Sequence, residues 1–70
     1  MKKFNLNEAL KGKNVVTRVG VKVSNFFVSG NCLYGLIFNH YGVQSEKWNL
    51  DGSKYKGVEH HHDLFMVEDI

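Results

Sequence analysis

Apolar residues recur along this chain with two periods, and the change between them falls at Gly12. Before it, Leu6 and Leu10 stand at i and i+4, a spacing that puts two side chains on one face of a helix. Asn5 takes a capping position, and Glu8 follows at the capping-box interval. Phe4 and Ala9 fall at the two staple positions, and Gly12 stands where a helix-ending glycine is usual. The segment predicts one helical turn.

After Gly12 the period is two. Residues 14–18 predict a strand, with Val15 and Thr17 on one face and Val16 and Arg18 on the other. Val19-Gly20 is a tight connection. Residues 21–28 predict the next strand, with Val21, Val23, Asn25 and Phe27 sharing a face against Lys22, Ser24, Phe26 and Val28. Ser29-Gly30-Asn31 has hairpin-turn chemistry. Residues 32–38 are the most apolar run, which predicts a central strand. Gly35 in its middle predicts a bulge or a close backbone approach. Residues 39–42 turn again, and 43–48 form a further strand. Asp51-Gly52 marks another turn, with strands expected at 53–56 and 64–67.

Short strands with regularly spaced glycine turns predict a mainly β fold. The expectation is one small domain over residues 1–70: a strongly bent antiparallel sheet or an SH3-like barrel of about five strands, after one N-terminal helical turn. A 70-residue chain buries only about 60% of its unfolded surface, so such domains are often helped by disulfides, metal or oligomerisation. The single cysteine, Cys32, rules out an internal disulfide. It reads as a small buried hydrophobe in a reducing compartment. A homodimer or higher oligomer is therefore expected.

The formal charge of +2 argues little for nucleic acid. Lys2, Lys3, Lys11 and Lys13 make the start mildly basic, while Glu59, Asp63, Glu68 and Asp69 make the end acidic. No apolar run approaches the roughly 18 residues of a membrane span. A cytoplasmic protein with no membrane association is expected.

The stretch Gly57-Val-Glu-His-His-His-Asp-Leu-Phe-Met66 invites three readings: an expression tag, a metal site or a polar turn. A tag would not run on into the strand-like Leu64-Phe65-Met66-Val67, so the triplet is native. On a strand, His60 and His62 would face one way and His61 the other. A structural zinc site needs about four ligands, usually with cysteine, and only Cys32, His40, Glu59 and Asp63 could add to the pair. The polar turn is preferred, with no metal and no cofactor assigned. Catalysis is not expected. No cationic neighbour in sequence activates Cys32, and there is no phosphate-cradling glycine loop or nucleophile elbow.

Nine aromatics are more than so small a core can hide. Phe26 and Phe27 are adjacent, so one of them leaves the core. Trp48, beside the Asp51-Gly52 turn, suits either a ligand platform or a dimer interface. Arg18 and Lys22 flank a tight turn where both can reach an anion, with Thr17 adding a hydroxyl. The competing reading is a solvated hairpin tip.

Three stretches carry a family resemblance. They are Phe4-Asn-Leu-Asn-Glu-Ala-Leu-Lys-Gly-Lys-Asn-Val-Val-Thr-Arg-Val-Gly-Val-Lys-Val23, then Trp48 with Asp51-Gly-Ser-Lys-Tyr55, then Asp63-Leu-Phe65. Over residues 4–66 the chain resembles a group of small phage and prophage accessory proteins. Their pattern reads Ala-x-x-Gly-Lys-x-Val-x-Thr-Arg-Asp-Gly-x-Lys-Val, then an aromatic strand, Asp-Gly-Lys/Arg-Tyr and Asp-Leu-Phe. Val19 departs from the pattern, which has Asp there, and the histidine triplet is not part of it. The resemblance implies a phage accessory protein and no mechanism; by analogy with small phage proteins that counter host defence, the expected function is non-enzymatic binding and sequestration of a nucleotide-derived immune signal. Thr17, Arg18, Lys22, Phe26, Trp48 and Tyr55 are then the expected ligand-binding residues, aromatic faces for a base and cations for phosphate. The alternatives are a protein-interaction module that inhibits a host protein and a small-barrel nucleic-acid binder.

Overall fold

The computed structural model describes residues 2–67 of the chain, and the acidic residues Glu68 and Asp69 lie outside them. The elements run β1 (Lys2–Lys3), α1 (Leu6–Leu10), β2 (Val15–Thr17), β3 (Lys22–Ser29), β4 (Cys32–Asn39), β5 (Gly42–Asn49) and β6 (Leu64–Met66). All six strands form one antiparallel sheet in the order β1-β6-β2-β3-β4-β5. The mainly β expectation holds as one open antiparallel sheet, with six strands rather than about five. The sheet does not close into a barrel, because β1 and β5 remain unpaired with each other at its two edges.

Helix α1 forms where the capping signal placed it. The Asn5 side chain accepts the Glu8 amide at 3.1 Å, and Gly12, at φ +92°, ends the turn. Ala9 is buried, and Phe4 and Leu6 pack against the core. Leu10, expected to share the buried face with Leu6, stays nearly half exposed.

One sheet face carries the core. Met66, Val15, Val23 and Ile37 stand opposite one another in a row across β6, β2, β3 and β4. Leu33 and Trp48 form a second pair across β4 and β5, and Thr17 with Leu64 a third across β2 and β6. All of these side chains are buried. Their alternation with exposed or half-exposed neighbours is the period-two signal in physical form.

Strand β3 departs from strict alternation. Its register against β4 shifts between Ser24 and Phe27, and Asn25 sits at φ +59° inside the irregularity. The extra residue flips the phase of everything after it. Phe26, expected on the face opposite Val23, instead joins Val23 over the core, and Phe27 turns to the other face. The close approach expected at Gly35 is real, and the bulge lies across from it in β3. A Cβ on Gly35 would stand 3.0 Å from two ring carbons of Phe26 and 3.2 Å from Val23 Cγ1. Gly35→Ala therefore requires the Phe26 ring, packed against Phe4 and Trp48, to give way by a few tenths of an ångström. The expected loss is about 1–3 kcal/mol of stability, as for other overpacked cores, read by urea unfolding with Trp48 fluorescence as the probe.

Two further expectations change. Residues 53–56 are not a strand. They form turns closed by a single Tyr55–Val58 bridge, in a loop that spans from β5 to β6. Cys32 is half-buried at the start of β4 rather than enclosed, and it is a free thiol.

Candidate functional site

Three of the residues singled out in the sequence, Arg18, Trp48 and Tyr55, meet at the histidine turn. Trp48 is 1% exposed. Its ring lies between Phe26, at 6.3 Å between centroids, and the Lys54 ammonium, 5.5 Å from the ring centre. Lys54 is itself held by an ion pair to Glu46. The indole Nε1 donates to the His62 carbonyl at 2.8 Å. Trp48 is thus a core residue that anchors a loop, and it offers no open face to a ligand.

Thr17 is 0% exposed, and its hydroxyl accepts the Val21 amide across the tight turn at 3.1 Å. Phe26 is packed against the core by Phe4, Trp48 and Gly35. Arg18 is committed as well. Its Nε donates to the His60 carbonyl at 3.3 Å and its Nη2 to Asp63 Oδ2 at 3.2 Å, while the guanidinium covers Phe65 at 4.9 Å. Thr17 and Phe26 are packed into the fold and Arg18 is paired with Asp63, so all three have structural roles. Burial or pairing uses the groups that a ligand would need. Tyr55 is exposed and meets His60 edge-on at 5.3 Å. Lys22 is exposed on the face away from the core.

The histidines occupy a turn, as the polar-turn reading expected. The strand alternation that would separate His61 from its neighbours does not apply. Ring centroids lie 4.3 Å apart for His60–His61, 4.3 Å for His61–His62 and 5.3 Å for His60–His62. The His62 amide donates to His60 Nδ1 at 3.0 Å. Burial, then the neighbouring His61, push the His62 imidazole below its usual pKa.

Asp63 organises this turn. It is only 8% exposed. Its Oδ1 accepts the Lys54 amide at 2.9 Å, and its Oδ2 accepts the His60 amide at 3.0 Å as well as Arg18. Burial pushes the Asp63 carboxyl up, but the Lys54 and His60 amides and the Arg18 guanidinium outweigh it, so the group titrates below its ordinary value. Its backbone takes part too, the carbonyl accepting the Arg18 amide at 2.8 Å.

A different surface is open. On the sheet face away from the core, Phe27, Tyr34 and Lys47 stand in one row across β3, β4 and β5. Phe27 is 56% exposed and stacks on Tyr34 at 5.2 Å with 12° between the planes. Beside them Asn25, Leu36 and Ser45 complete a shallow groove of about 410 Å³, within the usual range for small-molecule sites. Phe38 and Val43 extend the apolar surface. Lys3 and Lys22 also lie on this face, and among the described residues none of its strand positions is acidic.

The sequence reading missed Phe27, Tyr34 and Lys47. The signal was present in the hairpin. Counting outward from the two-residue Gly30-Asn31 turn pairs Ser29 with Cys32, Val28 with Leu33 and Phe27 with Tyr34. Comparison of the chain with protein-family models, with curated proteins and with solved structures finds no match. Among the described residues no helix is long and apolar enough to cross a membrane.

Proposed function

We propose that this is a non-enzymatic binding protein that holds a nucleotide-derived ligand on the outer face of its sheet. The observation that carries the reading is the exposed Phe27–Tyr34 stack in one row with Lys47, on a face whose described strand positions include three lysines and no carboxylate. A base stacks on an aromatic face whatever its identity, at about 1–3 kcal/mol per base. An ammonium one strand away meets the phosphate. The family resemblance suggests a phage accessory protein, and analogy with small phage anti-defence proteins suggests sequestration of a host immune signal as the biological setting. The proposed site lies at the Phe27–Tyr34 end of the outer face, away from buried Trp48; of the earlier candidates Lys22 is exposed on that face, while Arg18 lies over Phe65 on it and is paired with Asp63.

Native mass spectrometry of the untagged protein tests this, alone and with an extract of cells whose nucleotide-signalling immunity is active. A cyclic dinucleotide and an oligothymidylate serve as defined probes. A discrete small-molecule mass is expected, and Phe27→Ala and Lys47→Ala should each weaken binding by about tenfold or more while leaving the fold intact. Binding of the oligonucleotide alone would reassign the face to single-stranded nucleic acid. A dimer that gains no ligand and dissociates on Phe27→Ala would make it a self-association surface.

A further inference from the structure

The histidine turn is separate from that face and has a chemistry of its own. One ring nitrogen from each of His60, His61 and His62 lies within 4.8 Å of the others. Imidazole nitrogens bound to one tetrahedral zinc at about 2.0–2.1 Å stand roughly 3.3 Å apart. The rings therefore need only side-chain rotation to close on a single ion. We propose that His60, His61 and His62 bind one late first-row divalent cation, with Zn²⁺ as the reference case. Three imidazoles leave a coordination position open to water or to an anionic group, as in sites with three protein ligands.

Proximity alone does not distinguish a site from a polyhistidine stretch. The scaffold does. The backbone on both sides of His61 is fixed from within the fold: the His60 carbonyl by Arg18 Nε and by the Asp63 amide, the His60 amide by Asp63 Oδ2, and the His62 carbonyl by Trp48 Nε1. The Tyr55 ring limits His60 on one side. Partners that hold a metal-binding imidazole by its second nitrogen typically contribute about 10–100-fold in affinity; here the backbone that carries the rings is held instead. Ligation of neutral His60 through either ring nitrogen removes the Nδ1 lone pair that otherwise accepts the His62 amide, because Nδ1 is then metal-bound or protonated. That amide resonance is thus a direct reporter of loading.

The test is titration of the full, tag-free chain with Zn²⁺ against a chromophoric chelator, followed in parallel by amide NMR. One ion per chain is expected, with the His62 amide among the most shifted resonances. His61→Ala and His62→Ala should each weaken binding by about tenfold or more, and His40→Ala should leave it unchanged. Arg18→Met keeps all three histidines but removes one of the two donors to the His60 carbonyl and the counter-ion of Asp63, and should weaken binding by about tenfold or more. If Arg18→Met fails to fold, Arg18→Lys keeps the charge without the two-pronged donor and serves in its place. Absence of binding overturns the proposal. So does binding indifferent to His61→Ala, and so does affinity unchanged in the folded Arg18 variant, which would reduce the triplet to a flexible histidine run.

Discussion

Trp48→Ala is expected to leave this chain without a stable fold at room temperature. Replacing a buried tryptophan by alanine removes about 3–5 kcal/mol through lost transfer free energy and the cavity left behind. A domain this small rarely holds more than about 3–5 kcal/mol in total. Trp48 is the largest of the fully buried side chains, and it touches three parts of the structure. It pairs with Leu33 across β4 and β5, packs on Phe26 from the bulged strand, and ties down the His62 carbonyl of the distant loop. Loss of the ring should therefore scatter core and loop together. Circular dichroism and amide dispersion should both report an unfolded chain. Trp48→Phe separates the two roles. It keeps most of the packing and loses the Nε1 donor, so it should fold with a loss of about 1–2 kcal/mol and faster amide exchange at residues 60–63. A well-folded Trp48→Ala would show that the loop and sheet are held by something other than this ring.

That expectation reverses the role the sequence suggested, and the reason is instructive. The alternation of residues 43–48 allows Trp48 on either face, and only the partner residue decides. Leu33, opposite it, lies on the core face because Ile37, four residues along β4, does so too. The helical turn, its Asn5 cap, the Gly30-Asn31 hairpin and the Val15/Thr17 face were all legible, because each rests on local chemistry or short spacing. The bulge was not. An asparagine in left-handed conformation leaves no period in the sequence, yet it exchanges the faces of Phe26 and Phe27 and so moves the open aromatic site. The scaffold of the histidine turn was hidden for another reason. Arg18 and Asp63 meet across forty-five residues, and Trp48 and His62 across fourteen. No spacing rule joins them. The shared element is the β2–β6 pairing, which a strand reading of residues 53–56 had no cause to expect.

Asp63→Asn is expected to destabilise the metal-free protein despite the close match in volume. The two carboxylate oxygens accept from three donors: the Lys54 amide on Oδ1, and the His60 amide and Arg18 Nη2 on Oδ2. An asparagine has one acceptor oxygen and one NH₂ group. With its oxygen toward Lys54, the NH₂ group confronts two donors. With the amide flipped, it confronts the third. Either way a part-buried donor loses its partner and the Arg18 charge loses its counter-ion. A buried unsatisfied donor costs about 1–3 kcal/mol, and more when charge is involved, so a loss on the order of 3 kcal/mol is expected. Its pH dependence has a definite sign. The folded-state pKa of Asp63 lies below its unfolded value of about 3.9. Its stabilisation is therefore complete above that value and disappears as pH falls through the folded pKa. In EDTA, the stability gap between wild type and Asp63→Asn should be widest near neutral pH and narrow below about pH 4. Urea unfolding at a series of pH values, read on Trp48 fluorescence, measures it. A gap that stays constant into acid would mean that the hydrogen-bond geometry at Asp63, and not its charge, holds the loop. Amide exchange at His60 and Asp63 then completes the argument. If those amides open in Asp63→Asn while the β3–β4 hairpin stays protected, the carboxylate is the local anchor of the turn that carries the three histidines.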